Sequence, residues 1–411
     1  MKTFIISLIL IMSSVCSWAQ VLDGTWKGTL KAGPQTLTLV LNITKAENKV
    51  TLDVVEQGAK DMPTVVNALT ADSLNISIPQ LTLHYAGKMS GGKLKGIFMQ
   101  QAFTAPLVFE SGAVVANRPQ EPKPPYPYAT EEVLFWNYPE NILLAGTLTY
   151  PIGYEEKGKV PVVLMVTGSG QQNRDEELFG HKPFLVIADW LARHGIASLR
   201  YDDRGAGASL GDHHLSTTRE FCFDASAGID YLRGRNKFGP IGILGHSEGG
   251  AIGYMLASEK KVDFVVSLAG PACKIEDMMV VQINSLAHAQ GLADDLVHSP
   301  KEAYDFLKGQ TGESAWLNYF FQLDMAEYVR KTTCPVLALG GERDLNVPVS
   351  INVPALKENL PDNPKNIIKT YPGLSHMFQH NPTGNPLLSA TIEETFAEEV
   401  LKDISDFING L

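Results

Sequence analysis

Cysteine is scarce in this sequence, and its spacing excludes two common stabilising devices. The chain contains four cysteines, of which Cys222, Cys273 and Cys334 lie beyond the N-terminal segment and far apart. An odd number of widely separated cysteines does not indicate a disulfide framework. No pair of cysteines or histidines has the spacing of a zinc finger or zinc ribbon, and an adjacent pair such as His213-His214 in a polar loop is more typical of solvated side chains. We therefore expect neither a disulfide core nor a metal site.

Clustered positive charge and long apolar runs are also missing. The 34 Lys and Arg residues are outnumbered by 45 Asp and Glu residues, which gives a net charge of -11. A nucleic-acid partner would require clustered basic side chains to neutralise phosphates, so we do not expect one. Beyond the N-terminus no segment is apolar enough over sufficient length to span a membrane. With 411 residues, 44% of them hydrophobic, the chain can form one large domain and a smaller one.

The first residues have the pattern of a secretory signal. Lys2 is followed by an apolar stretch from Phe4 to Met12 and then by small residues that end at Ala19. The apolar stretch is too short to span a bilayer comfortably. Lipid attachment at Cys16 is disfavoured by the valine before it. We predict a cleaved signal peptide at residues 1–19 and a protein exported to the periplasm or the extracellular space.

Residues 20–115 carry the alternation that is typical of strands. Stretches such as QTLTLVLNIT and LNISIPQLTLHYAGKM alternate polar and apolar residues and are separated by turn formers. This predicts a small all-β domain, and its opening, Gly24 to Gly28, resembles the first strand of lipocalin-like barrels. No catalytic cluster stands out here, so we expect a binding or packing role. Residues 116–130 contain five prolines and predict a semi-rigid linker.

From residue 131 to residue 411 the pattern changes to buried strands that alternate with helices. Apolar runs such as VPVVLMVTG, IGILGHS and PVLALGG read as strands, and residues 217 to about 234 as a helix. The last helix is predicted from about Thr391, which has capping-box spacing to Glu394. This alternation predicts a mostly parallel sheet with helices on both faces. Residues from about 274 to 330 interrupt it with an aromatic-rich helical segment, which we interpret as a cap over a site or an extra helical layer.

The strongest chemical signal is Gly245-His246-Ser247-Glu248-Gly249, which matches G-x-S-x-G. It follows an apolar strand and precedes a helix-compatible stretch, as the strand-to-helix turn around a nucleophilic serine requires. A serine hydroxyl is a poor nucleophile unless a base and a group that orients the base accompany it. Asp344 and His376 each follow a predicted strand, in the chain order Ser, Asp, His. We predict that Ser247, Asp344 and His376 form a catalytic triad.

With these residues, the segment 131–411 resembles the α/β-hydrolase superfamily. It is close to secreted bacterial esterases that are grouped with dienelactone hydrolase and the catalytic domains of prolyl oligopeptidases. The stretches LAGTLTYP, VTGSGQQNRD and RYDDRGAGAS match the usual opening of that group. The resemblance implies an α/β-hydrolase fold with a helical cap, preceded by the all-β domain. It also implies that the backbone N–H groups of Glu248 and Ser169 form the oxyanion hole, although the family more often has His-Gly where this chain has Thr167-Gly168.

Several neighbouring residues compete for these roles. His380 lies four residues after His376, but His376 directly follows the strand and its Pro-Gly turn. Glu342 competes with Asp344, yet an Asp followed by x-x-Val-Pro is the family pattern. The Glu248 side chain is expected either to influence His376 or to point to solvent. His246 is expected to be a packed neighbour of the nucleophile.

Charged residues near the ends of two strands are expected to brace loops. They occur in GQQNRD and YDDRG, and the ends of parallel strands are where active sites form. An ion-pair or hydrogen-bond network is the simpler reading, and direct substrate contact is the alternative. The residues concerned are Arg174, Asp175, Asp202, Asp203 and Arg204.

These features predict an exported serine carboxylic-ester hydrolase that acts through an acyl-enzyme on small to medium esters. No metal or organic cofactor is expected, and the partner is a small-molecule ester. One alternative is a serine peptidase of the prolyl oligopeptidase type, although a β domain of this size is too small for a propeller. Another is a non-catalytic binding protein on a hydrolase fold. The sequence indicates neither the acyl and alcohol specificity nor the oligomeric state.

Overall fold

The computed structural model of the protein describes residues 22–32, 35–57, 59–112 and 117–411. These residues form two compact units, one made of residues 22–55 and 59–112 and the other mainly of residues 117–411. The predicted signal peptide lies outside the described residues. Within the described part, no helix combines the length and the apolarity that a membrane crossing needs.

The first unit is an up-and-down antiparallel sheet, which confirms the predicted all-β domain. Its strands follow the order β4-β3-β2-β1-β9-β8-β7-β6-β5, so the first strand pairs with both the second and the last. This pairing wraps the sheet into a nearly barrel-shaped structure. The strands are β1 (Gly24–Ala32), β2 (Gln35–Thr44), β3 (Lys49–Val54), β4 (Ala59–Pro63), β5 (Val65–Leu69), β6 (Ser73–Ile78), β7 (Leu83–Ser90), β8 (Lys93–Gln100) and β9 (Phe103–Ser111).

Alternation along these strands builds the core of the first unit. Buried and exposed positions alternate along β1 and β6, so that one face of the sheet packs inward. Trp26 is fully buried there, and the rings of Tyr85 and Phe109 meet edge to face at 5.1 Å. Burial raises the pKa of the Tyr85 hydroxyl, which has backbone carbonyl partners at Leu94 and Leu107.

The second unit is built on an eight-stranded mixed sheet with the order β10-β11-β13-β12-β14-β15-β16-β17. The first two strands run antiparallel to their neighbours, and the strands from β13 to β17 pair in parallel. This sheet agrees with the expected α/β-hydrolase fold. The strands are β10 (Thr130–Asn137), β11 (Ile142–Thr149), β12 (Val160–Val166), β13 (Ala197–Tyr201), β14 (Phe238–His246), β15 (Phe264–Leu268), β16 (Val336–Gly341) and β17 (Ile367–Tyr371).

Helices cover both faces of this sheet. Along β12, Val162 and Leu164 pack into one buried cluster, whereas Val163 and Met165 pack into another. Because successive side chains of a strand point to opposite faces, these two clusters are the two faces of the sheet. The helices are α1 (Tyr154–Lys157), α2 (Pro183–Arg193), α3 (Thr218–Gly234), α4 (Glu248–Ser258), α5 (Ile275–Ala289), α6 (Pro300–Thr311), α7 (Ala315–Phe321), α8 (Met325–Val329), α9 (Val349–Asn359) and α10 (Glu398–Asn409).

Helices α2 and α10 pack on one face, whereas α3 and α4 pack on the other. Helices α5 to α8 fill the segment between β15 and β16 that the sequence predicted as helical.

The predicted start of the last helix is wrong. α10 begins at Glu398, and the preceding 3-10 turn spans Pro386–Thr391. The Glu394 carboxylate accepts a hydrogen bond from the His380 backbone N–H at 2.7 Å, so it does not close a capping box with Thr391. Phe396, Val400, Ile404 and Phe407, which recur at helical spacing, are nevertheless buried against the sheet. Here tertiary contacts outweigh a local capping pattern.

The charged residues near the strand ends form ion pairs, as the sequence predicted. Arg174 contacts Asp202 at 2.8 Å, and Arg200, which the sequence analysis did not single out, pairs with Asp175. Arg204 is buried, and its partner is Asp224 on α3 at 2.7 Å. Asp203 differs, because it accepts hydrogen bonds from the Thr167 hydroxyl and the Gln172 backbone N–H. Burial raises the pKa of Asp203 to about 8.

We predict that Arg204→Ala lowers the free energy of unfolding by about 3–5 kcal/mol, because it leaves the Asp224 carboxylate buried without its cation. Arg193→Ala is the matched control, since Arg193 is about half exposed in its pair with Asp189 and should cost about 0.5 kcal/mol. Urea denaturation followed by circular dichroism measures both. Equal losses of unfolding free energy in the two variants would contradict the larger contribution expected of the buried Arg204–Asp224 pair.

Candidate active site

Ser247 occupies a sharp turn between β14 and α4. Its backbone has φ 54° and ψ -120°, a conformation that a non-glycine residue adopts at a cost of about 1–3 kcal/mol. The Ser247 N–H donates to the Leu268 carbonyl at 2.9 Å, and the Ser247 carbonyl accepts from the Gly250 N–H at 2.9 Å. These bonds hold the serine at the carboxyl end of the central parallel strands, where the sequence predicted it.

Glycines flank Ser247 because the turn leaves no room for side chains. A Cβ atom at Gly245 would lie 2.0 Å from the Gly249 carbonyl oxygen. A Cβ atom at Gly249 would lie 2.1 Å from the Val166 carbonyl oxygen on β12. Strand, turn and helix therefore pack backbone against backbone, which explains both glycines of the motif.

His376 and Asp344 lie on the loops that follow β17 and β16. The His376 Nδ1 atom is 2.8 Å from Asp344 Oδ2. The other carboxylate oxygen accepts the backbone N–H groups of Asn346 and Val347, both at 2.8 Å. The Asp344 side chain is buried, so its orientation is fixed from both sides. With its Nδ1 proton directed at the carboxylate, the imidazole keeps Nε2 as its proton acceptor.

A pocket of about 470 Å³ brings the predicted serine and histidine together. Ser247 and His376 both line it, next to the loop that follows β12 and under the helices α5, α6 and α7. The cap predicted from the sequence thus supplies much of the wall. Its apolar side chains there are Met278, Met279, Leu307, Trp316, Leu317, Phe320 and Phe321.

The competing residues lie elsewhere. The His380 side chain is 57% exposed, and its Nδ1 lies 2.9 Å from Glu394. Glu342 accepts a hydrogen bond from the Thr370 hydroxyl on the protein surface. The structure therefore brings His376 and Asp344 together and assigns different partners to His380 and Glu342.

The loop after β12 packs directly against the serine. A Cβ atom at Gly168 would lie 3.1 Å from the Ser247 Cβ. The Gly168 N–H already donates to Glu176 Oε1 at 2.9 Å, which leaves the next residue, Ser169, to supply a donor from this loop. Glu248 is the first residue of α4, and the first N–H groups of a helix have no intrahelical acceptor. Both predicted oxyanion donors therefore belong to segments that flank Ser247.

The Glu248 carboxylate has neither of the roles considered from the sequence. It is buried and accepts hydrogen bonds from the Thr218 hydroxyl at 2.6 Å and the Trp316 Nε1–H at 3.0 Å. Burial raises the pKa of Glu248, and its neutral hydrogen-bond donors offset this shift only in part. Trp316 belongs to α7, so this carboxylate connects the helix after the nucleophile to the cap. No local motif in the sequence pointed to this contact.

His246 is a packed neighbour of the nucleophile, and it also has a partner that sequence reasoning missed. Its Nδ1 lies 2.8 Å from Glu176 Oε1, and its Nε2 lies 3.0 Å from the His376 carbonyl oxygen. Burial on its own disfavours the charged ring, but the Glu176 carboxylate overcomes it and raises the pKa of His246. The only hint in the sequence was that Glu176 directly follows the charged stretch GQQNRD.

Within the described residues, no group of three or more His, Cys, Asp or Glu side chains is arranged to hold a metal ion. The carboxylates and histidines near Ser247 are hydrogen-bonded instead to one another, to backbone groups or to neutral side chains. The three cysteines of the described part are free thiols.

Comparison with known proteins points to hydrolases. A family model described as serine aminopeptidase, S33, matches residues 183–302, which include the Ser247 turn. Esterase EstD of Thermotoga maritima is 30% identical over 212 residues, which is 50% of this chain and 50% of that protein. The chain therefore matches about half the length of this relative.

Two solved structures are similar over most of their own length. Est1E from Butyrivibrio proteoclasticus, with ferulic acid bound, is 22% identical with a TM-score of 0.49, and the match covers 68% of this chain and 98% of that one. The Pyrococcus furiosus esterase Pf2001 is 17% identical with a TM-score of 0.46, and the match covers 73% of this chain and 99% of that one.

Three observations are consistent with an α/β-hydrolase fold in the second unit. The sheet is mainly parallel with helices on both faces, the serine occupies the sharp turn after a central strand, and the matched family model is that of a hydrolase. The second unit therefore has the fold class of α/β-hydrolases, and its residues 183–302 are similar to a hydrolase family model.

Proposed function

We propose that this protein is a serine carboxylic-ester hydrolase that acts through an acyl-enzyme on small to medium esters. The observation that carries the proposal is the His376–Asp344 contact of 2.8 Å at the pocket that Ser247 also lines. The esterase relative adds support for ester hydrolysis.

In the proposed mechanism the Ser247 hydroxyl attacks the ester carbonyl while His376 Nε2 takes its proton. His376 then delivers that proton to the leaving alcohol, and an acyl group remains on the serine. Water attacks the acyl-enzyme with the same base, which releases the acid and restores Ser247. Asp344 holds the imidazole and stabilises its cation throughout.

The developing oxyanion needs donors that are already in place. The backbone N–H groups of Glu248 and Ser169 are the proposed donors, and each is typically worth about 3 kcal/mol of barrier. Glu248 contributes the helix N-terminus, whose partial positive charge also favours an anion. The Glu248 carboxylate itself accepts hydrogen bonds from the neutral side chains of Thr218 and Trp316.

The pocket offers no carboxylate to a charged amino group. None of the residues described as lining it is Asp, Glu, Lys or Arg, and its wall is mostly apolar. An aminopeptidase must bind the charged amino terminus of its substrate, and desolvating that group without a carboxylate is costly. The volume of about 470 Å³ suits a small molecule. The lining therefore favours an ester over a peptide, although the matched family model is described as an aminopeptidase.

We predict that Ser247→Ala lowers kcat for nitrophenyl acetate by about 10⁴-fold or more and leaves the fold intact, because the hydroxyl serves chemistry. Ser258→Ala is the matched control at the other end of α4, where the hydroxyl only bonds the Met255 carbonyl. A fluorophosphonate probe should label Ser247 in the wild-type protein. Absence of labelling in folded protein would favour the non-catalytic binding alternative.

We predict that Asp344→Asn lowers kcat by about 10⁴-fold, because an amide at this position favours the wrong imidazole tautomer. Glu342→Gln should change kcat less than twofold or so, since Glu342 contacts only Thr370 on the surface. Steady-state kinetics on one nitrophenyl ester compares the two variants. If Glu342→Gln caused the larger loss, the assignment of the acid would be wrong.

We predict that nitrophenyl esters are hydrolysed and that aminoacyl anilides with a free amino group are not, because the pocket lacks a carboxylate for that amine. A series of acyl chain lengths on the same alcohol then measures how much of the apolar wall the acyl group uses. Faster turnover of the anilides than of the esters would favour the peptidase alternative.

We also propose export to the periplasm or the extracellular space, on the strength of the N-terminal sequence pattern. Expression in a bacterial host followed by intact-mass measurement of the exported protein tests this. The mature chain should begin at Gln20. Full-length protein that retains Met1 and stays in the cytoplasm would contradict the proposal.

A further inference from the structure

Glu176 and His246 form a buried pair that the ester-hydrolysis mechanism does not use. The exposed fraction is 1% for the Glu176 side chain and 5% for the His246 side chain. Burying a carboxylate and an imidazole is costly unless each finds strong partners. The pair nevertheless lies directly beside the proposed nucleophile, because His246 precedes Ser247 in the chain.

Both ring nitrogens of His246 face acceptors. Nδ1 is 2.8 Å from Glu176 Oε1, and Nε2 is 3.0 Å from the His376 carbonyl oxygen. A neutral imidazole has one N–H and would leave one of these acceptors facing a lone pair. The protonated ring has two N–H groups and satisfies both. The hydrogen-bond geometry therefore favours the imidazolium form.

The pair touches each of the three segments that form the candidate site. Glu176 Oε1 also accepts the Gly168 N–H at 2.9 Å, which fixes the loop that carries Ser169. His246 is joined by the peptide bond to Ser247 on the nucleophile turn. Its Nε2–H reaches the backbone of His376 itself. One contact chain thus joins the oxyanion loop, the nucleophile turn and the base loop.

The two imidazole rings are close as well as connected. Their centroids are 4.7 Å apart. Two titratable groups face His376: the Asp344 carboxylate at Nδ1 and the His246 ring at its side. The charged groups that act on His246 are the Glu176 carboxylate, which it contacts, and the more distant Asp344 carboxylate. A cation at this distance opposes the addition of a second positive charge to the neighbouring ring.

We propose that Glu176 and His246 act as a positioning pair, which holds the oxyanion loop and the base loop around Ser247 and keeps an imidazolium beside the ring of His376. The pair touches no reacting atom and works through Gly168 and His376. Its kinetic consequences rest on the proposed ester hydrolysis.

The test is a double-mutant cycle with His246→Gln, Glu176→Gln and the double variant. Each single change should lower kcat by about 10- to 100-fold with a smaller change in KM, because the loops that orient the reacting groups lose their common anchor. If the residues act as a unit, the double variant should lose no more than the worse single variant. The structure offers a matched control in the exposed pair His380 and Glu394, whose variants His380→Gln and Glu394→Gln should leave kcat unchanged.

The pH profile of kcat/KM distinguishes an electrostatic effect of the His246 imidazolium from a purely structural role of its side chain. Removing the imidazolium beside the proposed base should move the acidic limb of kcat/KM to higher pH by about half a unit or more in His246→Gln. The position of this limb does not depend on the fraction of folded protein. An unchanged limb together with strictly additive losses in kcat would overturn the proposal.

An experiment without substrate keeps this proposal separate from the proposed function. In nitrogen-15 NMR spectra of the wild-type protein, assigned with His246→Gln, both ring nitrogens of His246 should stay protonated at pH 8. A neutral His246 ring at that pH would contradict the proposed positioning pair, even if the enzyme hydrolyses esters. A protonated ring in a protein that hydrolyses no ester would refute the proposed function and leave the pair in place.

Discussion

The arrangement of the second unit depends on one steric constraint, the close packing of backbone around Ser247. The turn places a non-glycine residue at φ 54°, and Gly245 and Gly249 allow β14, β12 and α4 to approach without side chains between them. Because parallel strands end at one edge of the sheet, the loops after β16 and β17 arrive at the same edge with Asp344 and His376. Local strain in one residue is thereby compensated by the packing of the whole sheet.

Buried carboxylates surround this turn, and each has a different set of partners. Asp344 accepts two backbone N–H groups and the His376 ring, whereas Glu176 shares one oxygen between Gly168 and His246. Glu248 has only neutral donors. These environments explain why burial raises the pKa of Glu248 while the neighbouring carboxylate raises the pKa of His246. Asp344 thus orients the His376 ring, Glu176 compensates the charge of His246, and Glu248 attaches the cap to α4.

The sequence predicted the features that repeat along the chain or occupy a short motif. Alternating polar and apolar residues identified the first unit, and alternating strands and helices identified the second. The G-x-S-x-G motif identified the serine, and the positions directly after two later strands identified the aspartate and the histidine. It did not predict the start of α10, because His380 engages Glu394 and removes it from the expected cap. Nor did it predict that Glu176 meets His246 or that Trp316 meets Glu248, since residues so far apart in the chain become neighbours only through tertiary packing.

The hydrogen bond from Trp316 to Glu248 has a consequence for how molecules enter the pocket. If α7 moved away from the pocket, this carboxylate would lose a donor while still shielded from water, and an unmatched acceptor in such a place is unfavourable. Displacing α7 would therefore also remove a hydrogen bond from the first residue of α4. The residue next to the proposed nucleophile thus restrains this part of the pocket wall, and a ligand that displaced α7 would have to offset the lost hydrogen bond.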